Sequence, residues 1–172
     1  MAVSKKIISF LEKNKVKYEI LKHRTVYTAF DKAKTLKIPE KMVGKTLVLK
    51  TDGKLAMVLI PANKNLDLQK FKKLAKALPA ACLPDRQGRQ VKKIDFASER
   101  LIKNKFKGVK VGATPPFGNL WGLRTFIDNS LMKEKEIILN GGDYNFSIKI
   151  SSNQLKKILP DAIFGNFSEK KK

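Results

Sequence analysis

The chain is poor in the residues that staple or ligate: among its 172 residues there is one cysteine, Cys82, and one histidine, His23. One thiol excludes a disulfide framework, and the two together cannot complete a Cys/His zinc site of any usual composition. No motif supports a carboxylate metal site, so neither metal nor cofactor is expected. Long apolar runs are also missing, since none approaches the roughly 18 to 20 residues that span a bilayer. The segment 1–16 offers only five consecutive apolar or small residues before Glu12, so a soluble, cytoplasmic protein with no membrane partner is expected. Acidic residues are scarce, with 15 Asp plus Glu against 37 Lys plus Arg, a formal net charge of +22. Arginine is scarce within that surplus: five (Arg24, Arg86, Arg89, Arg100, Arg124) against 32 lysines.

What is present is positive charge, and a surplus of this size speeds encounter with polyanions, nucleic acid first. The shortage of arginine shapes that inference. Planar guanidinium forks read bases and phosphates by geometry, whereas lysine supplies point charge. The contact expected is therefore to shape and backbone, weakening steeply with salt. A lysine-decorated solvated surface accounts for the same composition. Runs such as Lys103, Lys105, Lys107 and Lys110, or 170–172, read individually as solvated.

No Pro/Gly/Ser-rich linker and no internal repeat divides the chain, so 1–172 reads as one domain with a basic tail over 165–172. Residues 4–14 read as an amphipathic helix with Ser4 as N-cap and Ile7, Ile8 and Leu11 on one face. Lys15 to Leu21 alternates as a strand. Thr28 caps a helix to Leu36, ended by Pro39. Lys45–Thr51 and Lys54–Ile60 are β-rich runs joined by Asp52-Gly53, the strongest hairpin signal in the chain. Asp67 caps a helix over 68–78, which the stretch 79–89 breaks, and Ser98 caps another to Asn104. Gly108–Gly118 reads as a loop and Leu123–Ile127 as a strand. Ser130–Lys135 is a helical turn, and Glu136–Asn140 pairs with Tyr144–Ile150 across Gly141-Gly142. Ser152 then opens a last helix to Leu159. Strands come as hairpins with helices interspersed, so an α+β fold with a mixed, largely antiparallel sheet follows.

Most chemical motifs fail on inspection. Val43-Gly44-Lys45-Thr46 mimics the end of a phosphate-binding P-loop, but that pattern needs Gly at position 39, where Pro39 stands, and a helix after Thr46, where a strand is expected. There is no Gly-x-Ser-x-Gly elbow, and His23 is the only imidazole a Ser/His/Asp triad could use; a lone His after a strand reads as a surface or packing residue. Cys82, between Ala81 and Leu83, reads as a small buried side chain, since nothing near it in sequence would stabilise a thiolate. Gly112-Ala113-Thr114-Pro115-Pro116-Phe117-Gly118 is harder to dismiss. A glycine at each end permits close approach of a ligand, and the two prolines stiffen the chain so that the amides of Ala113 and Thr114 are fixed in direction. Such a loop can present N–H groups to an oxyanion, or it can be a rigid connector.

The ordered set of segments resembles the YbaK/proline-tRNA-synthetase-associated editing domain. The resemblance rests on His23 after a strand, the helix led by Thr28, Ala29 and Ala33, and Val43-Gly44-Lys45-Thr46-Leu47-Val48-Leu49 with its hairpin. It continues through the Gly112–Gly118 loop, Ile127-Asp128-Asn129-Ser130-Leu131, Glu136-Ile137-Ile138-Leu139-Asn140-Gly141-Gly142, Ser147-Ile148-Lys149-Ile150 and a closing helix. It covers roughly residues 5 to 160.

That resemblance implies a free-standing aminoacyl-tRNA deacylase with tRNA as partner and an aminoacyl-tRNA synthetase as an optional second one. The family's pocket at the sheet edge takes the terminal adenosine and the aminoacyl group, usually a small residue such as Ala, Ser, Thr or Cys. By position, Lys45 is the family's lysine, and Gly112 with Pro116 matches its Gly-x-x-x-Pro loop. With no side-chain nucleophile in the family, water or a ribose hydroxyl attacks, and the amides of Gly112, Ala113 and Thr114 stand as oxyanion donors. His23, Phe30, Thr46, Pro115, Pro116 and Ser147 are the implied substrate contacts. Some relatives carry an acidic residue where Ser147 stands. Asp128 and Asn140 read as structural, as a cap and a turn residue. Without the resemblance, Lys45 is one strand-end lysine among 32. The alternative function is a non-catalytic module holding a tRNA 3′ end or a synthetase in the same pocket. Neither the amino acid removed nor the oligomeric state has a signature in the chain.

Overall fold

The computed structural model describes residues 4–78 and 93–171, and in it most helices begin at the caps the sequence supplies. Helix α1 (Lys5–Lys13) buries Ile7 and Leu11; Ser4 occupies its N-cap without a side-chain hydrogen bond. Lys15 then adopts φ 53, a left-handed turn that delays strand β1 to Tyr18–Lys22. Thr28 Oγ1 accepts from Asp31 N to start α2 (Ala29–Leu36), which stops at a left-handed Lys37 before Pro39 is reached. Strands β2 (Gly44–Thr51) and β3 (Lys54–Pro61) are joined by Asp52 and Gly53 at φ 47 and 88, the primed turn that a two-residue hairpin needs. After the short β4 (Lys64–Leu66), the Asp67 carboxylate accepts from Gln69 N and Lys70 N and opens α3 (Leu68–Ala77).

Beyond residue 92 the order is β5 (Ile94–Phe96), α4 (Glu99–Lys105) capped by Ser98, and β6 (Thr125–Asp128). Then come β7 (Glu136–Asn140), β8 (Phe146–Ser151), α5 (Ser152–Ile158), β9 (Ile163–Gly165) and β10 (Ser168–Lys170). Ser151, one residue before the expected Ser152, accepts from Gln154 N to cap α5. The stretch 79–89 expected to break the helix and the expected burial of Cys82 lie outside the described residues.

The α+β class with mixed, largely antiparallel pairing is the one adopted, divided among three sheets within the described residues. One has the order β5-β2-β3-β6-β9, antiparallel through β3 and parallel at β3–β6 and β6–β9. The second is antiparallel, β1-β8-β7. The third pairs β4 with β10. A parallel bridge between Val43 and Ile138 brings the entrance of β2 against β7. Apolar side chains fill both flanks: Ile7, Leu11, Ile148, Ile150, Leu155 and Phe117 around the three-stranded sheet, and Leu49, Val58, Ile60, Phe71, Phe126 and Phe167 around the five-stranded one.

Part of the segment expected as a basic tail, 165–172, is paired and packed against the fold, while Glu169, Lys170 and Lys171 stay exposed. Phe167 is fully buried, its ring edge-on to Phe71 at 5.5 Å, and Ser168–Lys170 form a strand with β4. Asp128 ties this segment down. Its Oδ2 accepts from Phe167 N at 2.9 Å and Ser168 N at 3.0 Å, while Oδ1 accepts from Ser130 N at 2.9 Å and from the Ser130 hydroxyl.

Candidate active-site cleft

Gly44 sets the position of Lys45. A Cβ there would lie 2.8 Å from Leu59 Cδ1 and 3.0 Å from Leu139 Cδ2, so a larger residue would have to displace these leucine methyls where β2 meets β3 and β7. Lys45 follows, half-buried, its Nζ donating to the Lys64 carbonyl at 3.1 Å. Burial, helped by the charge of Lys171, holds its ammonium below the usual lysine value. Next along the strand, Thr46 has a buried Oγ1 with no hydrogen-bond partner among the described residues.

Across from β2, α2 contributes Lys32. It is 6% exposed, its Nζ donates to Asn140 Oδ1 at 2.5 Å, and burial lowers its pKa to about 8. Asn140, the last residue of β7, passes the connection on: its Nδ2 donates to the Thr114 carbonyl at 3.2 Å and, at 3.5 Å, to that of Gly112. Gly112 has φ 86, a backbone that an L side chain adopts only under strain. The loop is laced to the β7–β8 connection through Lys110 N to Gly142 O at 3.0 Å, Gly142 N to Ala113 O at 2.9 Å and Tyr144 OH to Val111 O at 2.7 Å. Asp143 accepts from Lys110 Nζ at 2.9 Å and from Tyr144 N at 2.6 Å. Burial pushes its pKa up, but these donors outweigh that and hold it below the ordinary carboxylate value.

These elements enclose a cleft of about 290 Å³, lined by Lys32, Lys45, Thr46, Gly112, Ala113, Asn140, Asp143, Tyr27 and Tyr144 among others. Of the residues singled out from sequence, Lys45, Thr46, Gly112 and Ala113 therefore meet at one place. The amide of Ala113 is already committed, donating to Lys110 O at 3.0 Å, whereas those of Gly112 and Thr114 have no acceptor among the described residues. Thr114, Pro115 and Pro116 are buried behind the lining, and the Pro116 carbonyl accepts from Thr125 Oγ1.

A model of the aminoacyl-tRNA editing domain matches residues 23–158. The chain belongs to this family. Among solved structures, the editing domain is similar to the hypothetical protein APE2540 (TM-score 0.79, 21% identity, covering 96% of this chain and 100% of that one). It is also similar to a "putative trans-editing enzyme for prolyl tRNA synthetase" (TM-score 0.75, 20% identity, covering 98% and 99%). At such identities the likeness establishes the fold. No curated protein matches the chain in sequence.

Other sequence-selected residues of the editing domain lie outside the cleft lining. His23 Nε2 and Ser147 Oγ are 2.8 Å apart where β1 meets β8, and His23 Nδ1 lies 2.8 Å from the Arg24 carbonyl. Burial lowers the His23 pKa; the Arg24 carbonyl opposes this and the charge of Lys32 adds to it. Phe30 is exposed, with Lys34 Nζ 5.2 Å from its ring centroid. Among the described residues no group of three His, Cys, Asp or Glu side chains is placed to hold a metal ion, and no helix is long and apolar enough to cross a membrane. Sequence reasoning missed Lys32, Asp143, Tyr27 and Tyr144 and gave Asn140 only a turn role. The signal for Lys32 was in the chain: positions 29, 32, 33 and 36 share one helix face, and a lysine among Ala29, Ala33 and Leu36 is a charge on the core side.

Proposed function

We propose that this editing domain is a free-standing aminoacyl-tRNA deacylase that hydrolyses the ester of a misacylated tRNA 3′ end in the cytoplasm. One observation carries the reading beyond the family: the cleft gathers the family-matched Lys45 and Gly112 at one opening, with hydrogen-bond donors and no Ser, Cys or His among the described residues of its lining. In the reaction, water or the neighbouring ribose hydroxyl adds to the ester carbonyl carbon. The ester C–O bond breaks, the ribose oxygen takes up the proton that the attacking group loses, and any transferred ester is hydrolysed in turn. An aminoacyl ester is intrinsically labile, so placement of the attacking group and stabilisation of the oxyanion supply most of what is needed.

We assign the oxyanion contact to the amide of Gly112; Thr114 is buried behind the lining, and Ala113 is excluded because its N–H is spent on Lys110. Lys45 keeps two N–H bonds after serving Lys64, and it anchors the substrate by charge. Tyr27, 68% exposed and edge-on to Tyr144 at 4.8 Å, offers a face on which the terminal adenine stacks. The test is deacylation of tRNAs charged with Ala, Ser, Thr, Cys and Pro at one modest salt concentration. One or two esters should be cleaved, and Lys45→Ala should lower that rate roughly a hundredfold while the protein melts as before. Cleavage of no ester by folded wild type, or an equally active variant, would refute the reading. Stable binding without turnover would point instead to a non-catalytic module.

A further inference from the structure

The cleft pairs its charges in a lopsided way. Two ammonium groups line it, and neither meets a carboxylate within ion-pair distance among the described residues. Lys32 has only the neutral Asn140 Oδ1, and Lys45 only the Lys64 carbonyl. Asp143, the carboxylate in the lining, is neutralised by Lys110 and held by Tyr144 N. Asn140 has its oxygen given to Lys32 and its amide to the Gly112–Thr114 loop. Thr46 Oγ1 is buried and unpartnered among the described residues. The cleft thus offers two ammonium groups with no counter-charge of their own, while the carboxylate in its lining is already paired. Burying an ammonium without a counter-charge is costly. A fold that does so twice around one opening is suited to a negative charge that arrives from outside.

We infer that Lys32 and Lys45 form a two-lysine anion site in this cleft, with Lys32 as its more deeply buried contact, and that it takes an anionic oxygen group of the substrate. The identity of that substrate rests on the deacylase reading; the binding itself does not. Two parts of an aminoacylated tRNA end carry such oxygens, a phosphate beside the terminal nucleoside and the carboxylate of an acidic aminoacyl side chain. Lys32 also repels the α-ammonium of any aminoacyl ester, so the ester enters with its amino group turned away from α2. An ammonium matches a phosphate or carboxylate oxygen by charge-assisted hydrogen bonding, which is stronger than its neutral counterpart.

The experiment compares two probe pairs by calorimetry on the whole protein: adenosine 5′-monophosphate against adenosine, and 3′-aspartylamino-3′-deoxyadenosine against its alanyl analogue. Wild type should bind one anionic member at least roughly tenfold more tightly than its neutral partner. That advantage should vanish in Lys32→Met and persist in Lys73→Met, which removes an exposed lysine of α3. The pair that shows it names the source, phosphate or side-chain carboxylate. Absence of an advantage in both pairs, or its survival in Lys32→Met, overturns the proposal. If Lys32→Met does not fold, the Lys32 side-chain NMR signal of wild type decides: its titration midpoint must rise on adding the preferred anion, and an unmoved midpoint refutes the site. A wild type that cleaves no ester but keeps the anionic preference defeats the deacylase reading alone. One that cleaves esters with no such preference defeats the anion site alone.

Discussion

Asp128 and Lys32 are both charged side chains withdrawn from water, 2% and 6% exposed, yet their surroundings differ in kind. Asp128 receives four donors, from Phe167 N, Ser168 N, Ser130 N and the Ser130 hydroxyl. Lys32 has three N–H bonds and one neutral acceptor. Where the fold uses a buried charge to hold itself together, it saturates that charge with its own backbone. Where it leaves one unsaturated, beside a second lysine and an unpartnered hydroxyl, the missing partner is a ligand. The distinction is one of bookkeeping by atom, and each atom in it can be removed separately.

The largest effect is expected at the saturated end. Asp128→Ala strips the buried Phe167 N and its neighbours of their acceptor and frees β10 from β4, and it should cost about 4 kcal/mol in urea unfolding. The same carboxylate gives an acid signature. Burial raises its pKa, but the Ser130, Phe167 and Ser168 donors together hold it below the ordinary 3.8. Its contribution is therefore complete above that ordinary value and is lost as pH falls through the lower native one. Asp128→Asn should remove that dependence. A stable Asp128→Ala protein would break the comparison by showing the saturated site to be dispensable.

Lys32 should show a pH dependence of the same direction in a higher window, because there it is a penalty on the buried charge that is relieved rather than a contribution that is lost. Its native pKa is about 8 against an ordinary 10.5, so between those values the unfolded chain binds more protons and stability rises with pH. Relative to Lys32→Met, wild type should gain about 3 kcal/mol over that interval. Parallel stability curves for the two proteins between these pH values would mean the ammonium is not penalised where it sits.

Asn140 stands between the two cases, holding Lys32 on one side and the Gly112–Thr114 loop on the other. Asn140→Ala is expected to cost about 2 kcal/mol by leaving a buried ammonium and a carbonyl unmet. It should also lower deacylation by loosening the loop, with the Lys32 titration moving further down. A change in stability with no change in either functional readout would assign Asn140 to the scaffold alone.

Much of the scaffold was legible because its signals are local. Thr28, Asp67 and Ser98 cap the helices they precede in the chain, and Asp52-Gly53 makes the hairpin that a two-residue primed turn dictates. The strands that escaped notice, β4, β5, β9 and β10, have three residues each. A run that short carries no period, and β10 finds its partner in β4 about a hundred residues earlier. Residues 165–172 read as a basic tail because the cause of the segment's order, Asp128, lies far away in sequence; its lysines 170 and 171 are exposed all the same. For the cleft, the pattern around Lys45 and Gly112 drew attention through family resemblance, whereas Lys32 was not singled out. Composition hides a buried lysine among 32; only its place on the inner face of α2 distinguishes it.

The smallest effect is the sharpest test, because its sign is reversed. Thr46 Oγ1 is buried beside Lys45 with no partner among the described residues, and a hydroxyl left so is less favourable than a methyl of the same shape. Thr46→Val keeps the branched outline that suits a strand and removes the orphan. The free protein should gain up to about 1 kcal/mol in urea unfolding. Deacylation should fall at the same time, because the hydroxyl is among the donors left for substrate. Stability and activity moving in opposite directions at one atom is what an unsaturated, ligand-directed cleft predicts. If Thr46→Val instead loses stability, the hydroxyl has a partner within the fold, and the cleft is closer in kind to Asp128 than the comparison holds.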